Sequence, residues 1–72
     1  NGIGTLLLLS GMLWAKEKEV RYVRGRFVPE KDIDWVKSWY ENRAIFVSND
    51  LQSVSGIVTA VISSCQNIIA RY

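Results

Sequence analysis

The chain alternates between long uncharged stretches and one charged stretch. Residues 3–15 (IGTLLLLSGMLWA) carry no charge. The run is too short for a membrane-spanning helix, which needs ~20 apolar residues. Its leucines favour helix, while an unbroken apolar run also fits a strand buried on both faces. Gly11 in its middle weakens either element. Over 16–28 (KEKEVRYVRGRFV) the β-branched and aromatic residues from Val20 to Val28 favour a strand. The helical alternative has a Glu17–Arg21 pair and Gly25 as its stop.

Segment 29–43 (PEKDIDWVKSWYENR) predicts a helix. Pro29 suits the first helical position, and Glu30, Asp32 and Asp34 suit the positive end of a helix dipole. Ile33, Val36 and Tyr40 share a face, flanked by Trp35 and Trp39. Residues 44–48 form a short β-prone run, and Asn49-Asp50 supplies a turn and a helix N-cap. Segment 51–70 then follows helical spacing through Leu51, Val54, Ile57, Val58, Val61, Ile62, Cys65, Ile68 and Ile69. Gly56, Ala60 and Ser64 stand four apart, a row that would let another backbone approach closely.

These elements predict one small α+β domain over 1–72. Short strands pack on two helices in β-β-α-β-α order: strands 3–14, 19–28 and 44–48, helices 30–42 and 51–70. The alternative is all-α, with helices 5–24, 30–43 and 50–71. The domain divides into an apolar segment 1–15, a charged middle 16–50 and an uncharged amphipathic helix over 51–72, interrupted only by Arg71.

Composition sharpens this picture. The chain has 72 residues, 49% of them hydrophobic, which excludes a disordered chain but allows only a thin core. With one cysteine and no histidine, neither an internal disulfide nor a zinc centre can brace it. A partner is the remaining brace. Of the sixteen charged side chains, fifteen fall within 16–50. The net charge of +2 is too small to imply a polyanionic partner by itself.

The candidate chemistry is sparse. Without histidine there is no Ser–His or Cys–His nucleophile pair, and the expectation is a protein that is not an enzyme and takes no cofactor or metal. Cys65 lies on the apolar stripe of the last helix and reads as a small buried hydrophobe, or as an interchain contact. Glu30-x-Asp32-x-Asp34 has the alternation of a calcium loop, but Trp35 stands where the required glycine would be. Arg21, Arg24 and Arg26, interleaved with Tyr22 and Phe27, are candidate anion contacts.

Leu6, Leu7, Leu8 and Leu9 are too apolar to sit in water. At ~0.8 kcal/mol per CH₂, exposing them would cost as much as a small domain's whole stability. Something must cover them, whether the last helix, a partner or lipid. The expected function is therefore a non-catalytic interaction subunit of a multi-chain assembly. It docks through the apolar N-terminal segment and the last helix, with Leu6–Leu9, Trp14, Trp35, Trp39, Gly56, Ala60 and Ser64 as contacts to a protein partner or a membrane. Two alternatives stand beside it. One is a small membrane-active, toxin-like chain with Trp14, Lys16, Lys18 and Arg21 at the interface. The other, less favoured, is a nucleic-acid-binding domain using the three arginines. The start at Asn1-Gly2-Ile3 without methionine suggests a processed chain, secreted or membrane-associated, or a piece of a longer one.

Overall fold

A computed structural model describes residues 2–26, 33–50 and 52–71. The order is α1 (Gly2–Glu17), β1 (Tyr22–Arg26), α2 (Ile33–Glu41), β2 (Ile45–Val47), β3 (Ser53–Ile57) and α3 (Val58–Ile69). The strands form one antiparallel sheet in the order β1-β3-β2. The molecule is thin, with Cα extents of 31 × 28 × 15 Å. α1 and α3 pack on each other and on the sheet's inner face, and α2 packs beside β2.

The α+β class is the one expected, but two elements differ from the β-β-α-β-α reading. The segment assigned to strand 3–14 is helix α1. Leucine has high helix propensity, and no β-branched pair interrupts Leu6 to Leu9. The helix turns Leu8, Leu9, Met12 and Ala15 onto the core. It ends in a Schellman motif. The Glu19 N–H donates to the Lys16 carbonyl at 2.9 Å and the Val20 N–H to the Ala15 carbonyl at 2.9 Å. Glu19 takes the left-handed conformation (φ 64°) that closes this cap.

The second difference is the helix expected over 51–70. Residues 53–57 are instead strand β3, and the helix begins at Val58. Along Ser53–Ile57 successive residues face opposite sides of the sheet, Val54 and Gly56 inward and Ser53, Ser55 and Ile57 outward, and β3 pairs on both sides, with β1 and β2. The Val58 N–H donates to the Arg21 carbonyl at 2.9 Å, so strand passes into helix with no side-chain cap. Asn49-Asp50 therefore belongs to the β2–β3 hairpin rather than to a helix start. There Asp50 accepts from the Ser48 hydroxyl and the Gln52 N–H, and those bonds hold its carboxyl below the usual range.

Strand β1 lies within the expected 19–28, α2 within 30–42 and β2 within 44–48. Pro29, Glu30 and Asp32, the expected start signals of the middle helix, lie outside the described residues, as does Leu51. The core joins Ala15, Val58 and Ile62 to Ile45, Val61 and Cys65, with Leu9 and Met12 touching both groups.

Candidate functional site

α1 has two apolar faces with different fates. Thr5, Leu8, Leu9, Met12 and Ala15 face the domain, where Thr5 and Ala15 are buried. Ile3, Leu6, Leu7, Leu13 and Trp14 lie on the other side and are exposed, Leu7 by 70% and Trp14 by 62%. Ser10 and Gly11 lie among them, also exposed, and nothing lies within 4 Å of where a Gly11 Cβ would be. This outer face carries no charge from Ile3 to Trp14. At its C-terminal end the Lys18 ammonium sits 6.0 Å from the Trp14 ring centroid.

Of the four leucines expected at a contact, Leu6 and Leu7 point outward, whereas Leu8 and Leu9 are half-buried against the core. α3 spends its apolar side internally. Val58, Val61, Ile62 and Cys65 are buried. Its outward positions Thr59, Ala60, Ser63, Gln66 and Asn67 are small or polar.

The row Gly56–Ala60–Ser64 does not exist as one helical face. Gly56 is in β3 and buried, while Ala60 and Ser64 are in α3. A Cβ on Gly56 would stand 3.0 Å from Val61 Cγ2 and 3.3 Å from the Ala44 carbonyl oxygen. The glycine therefore serves packing within the chain, not the approach of another backbone. Trp35 is 67% exposed on α2. Trp39 is half-buried and meets Tyr40 edge to face at 5.3 Å between centroids.

Arg24 and Arg26 project with Tyr22 from the open face of the sheet, and Arg21 is exposed just before β1. A cleft of about 730 Å³ is lined by Arg24, Gly25, Arg26, Asp50, Gln52 and Ser53. A second, of about 600 Å³, is lined by Lys16, Glu19, Val20, Arg21, Ile57 and Thr59.

One cation is placed where sequence reasoning did not look. Arg43, 7% exposed, donates from Nε and Nη2 to Thr5 Oγ1 at 3.1 and 2.9 Å, and from Nη1 to the Trp39 carbonyl at 2.8 Å. Its guanidinium lies 3.9 Å from the Trp39 ring centroid. This clamp ties the end of α2 to α1. Thr5 is polar within the apolar run, but so is Ser10, and nothing in the local sequence marks Thr5 as the partner of Arg43. Burial pushes the Cys65 thiol above its ordinary pKa, and the charge of Arg43 opposes that shift. Cys65 is therefore an inert thiol inside the core.

Among the described residues, no three His, Cys, Asp or Glu side chains gather in a way that could hold a metal ion. Nor is any described helix long and apolar enough to cross a membrane. No family model, curated protein or solved structure matches the chain.

Proposed function

We propose that this chain is a non-catalytic interaction subunit that docks through the outer face of α1. The observation that carries the reading is that α1 exposes Ile3, Leu6, Leu7, Leu13 and Trp14 on one side while its other side is already used by the core. The stripe suits another helix laid along it, because Ser10 at its middle leaves room for a close crossing between the flanking leucines. The simplest such helix is α1 of a second copy, since an uncharged apolar stripe complements itself about a two-fold axis.

Size-exclusion light scattering of the full chain tests this. A dimer is expected, and Leu7→Asp should return a folded monomer, because Leu7 makes little contact within its own chain. A parent chain that stays monomeric at high micromolar concentration would remove the self-association reading.

A lipid surface is the second reading. Trp14 ends the stripe beside Lys16 and Lys18, the order of groups that places a helix at headgroup level. Flotation of the parent with anionic vesicles, lost in Leu7→Asp, would favour it over the dimer.

A further inference from the structure

The sheet has one face under the helices and one face open. The register decides which side chains share the open face. Tyr22 stands opposite Ile57, Arg24 opposite Ser55, and Arg26 opposite Ser53; Ser55 in turn stands opposite Phe46. These seven residues project to the same side. Their neighbours Val23, Val54 and Ile45 pack into the core instead. Phe46 is 61% exposed, and Tyr22 and Ile57 are likewise exposed.

We propose that this open face binds single-stranded nucleic acid, with Tyr22 and Phe46 as stacking platforms for bases and Arg24 and Arg26 as phosphate contacts. Arg24 and Arg26 are two residues apart on one strand, so their Cα atoms are ~6.7 Å apart along the sheet. A row across the sheet then reads cation, hydroxyl, ring: Arg24, Ser55, Phe46. Phe46 lies two strand spacings, ~9.5 Å, from Arg24. Bases of a single strand can turn their faces onto such rings, whereas the bases of a duplex are already stacked on each other.

Charge complementarity selects an anionic partner. None of the seven positions is acidic. Among the described residues, the acidic groups lining the clefts at its margins are Glu19, beside Lys16 and Arg21, and Asp50, whose carboxylate already accepts from Ser48 and Gln52. A protein partner fits less well. The central strand presents Ser53 and Ser55 between the two arginines and Phe46, and the apolar side chains Tyr22, Ile57 and Phe46 gather at one end of the face rather than at the centre, where a protein interface keeps its apolar contacts.

The test is fluorescence anisotropy of the full chain with labelled oligothymidylate and oligouridylate of about 12 nucleotides, at about 50 and about 200 mM salt. Binding at low salt that weakens several-fold at the higher salt is expected. Phe46→Ala and Arg24→Ser should each weaken it about tenfold while circular dichroism stays that of the parent. Asn67→Ala, exposed on α3 away from the open face of the sheet, should bind as the parent does. No binding at low salt would overturn the proposal. So would binding that both sheet variants leave unchanged, or equal affinity for a duplex of the same length. Heparin binding as tight as that of the oligonucleotide, and indifferent to Phe46→Ala, would overturn it as well, because charge alone would then account for the affinity.

Discussion

α1 and α3 are both helices built from stretches with almost no charge, yet they do different work. α3 separates its residues cleanly. Val58, Val61, Ile62 and Cys65 go inside, and small or polar side chains go outside. α1 does not separate them, because large apolar side chains lie on both of its sides. Total hydrophobicity is therefore a poor guide to burial. What marks a surface for a partner is apolar area left over once the chain's own core is filled.

Three sets of substitutions probe this contrast. The largest effect is expected from moving a carboxylate between the two helices. Val61→Asp places an unpaired charge at a site with no exposure, and a cost of ~3–5 kcal/mol should leave little folded protein in a thermal melt. Leu7→Asp, on the open side of α1, should leave the melt of the monomer within ~0.5 kcal/mol of the parent. Similar losses in both would mean that the outer face of α1 is not the open surface described.

Next comes the clamp that holds α1 down. Thr5→Val keeps the shape but removes the oxygen to which Arg43 donates twice. Leaving those donors buried and unpaired should cost ~1–3 kcal/mol in denaturant unfolding. A neutral result would mean that water reaches the guanidinium once the hydroxyl is gone.

The smallest effect separates two glycines of α1. Gly11 meets open space, so Gly11→Ala should raise stability by ~0.5–1 kcal/mol through helix propensity. A Cβ at Gly4 would lie 3.3 Å from Trp39 Cζ2, so Gly4→Ala should gain less or lose. Chemical unfolding of the two variants side by side reads the difference.

The sequence made the middle of the fold legible and blurred its ends. Tyr22–Arg26 and Ile45–Val47 are short, β-branched or aromatic runs near turn residues, and both are strands. The Trp35–Tyr40 stretch has helical spacing and is helical. An unbroken apolar run has no period to read, so 3–14 fitted strand and helix alike. At 53–57 no apolar alternation marks the strand, because its inward positions are Val54 and Gly56 while Ile57 faces out, and Val54 and Ile57 fit the helical spacing of the residues that follow. A helix start without a polar cap, at Ile57, gave no signal to separate them. The Arg43–Thr5 bonds join residues 38 apart in the chain, a contact that no local pattern announces.

The arginines were noticed for their spacing, but only strand pairing shows that Arg24 shares a face with Phe46 on a strand that is not its neighbour. Likewise, leucine content pointed to the N-terminal segment, but only the helix phase shows that Leu6 and Leu7 face out and Leu8 and Leu9 face in.

The join between β3 and α3 has a mechanical consequence. Ile57 ends the strand and Val58 begins the helix, with no loop between them, and the Val58 N–H is fastened to the Arg21 carbonyl. Such a joint has no loop residues to absorb a change of angle. α1 lies on α3, so the two outward surfaces are mounted on a single bracket. Partners at the two proposed surfaces would therefore be joined through packed elements of one core rather than through a flexible linker.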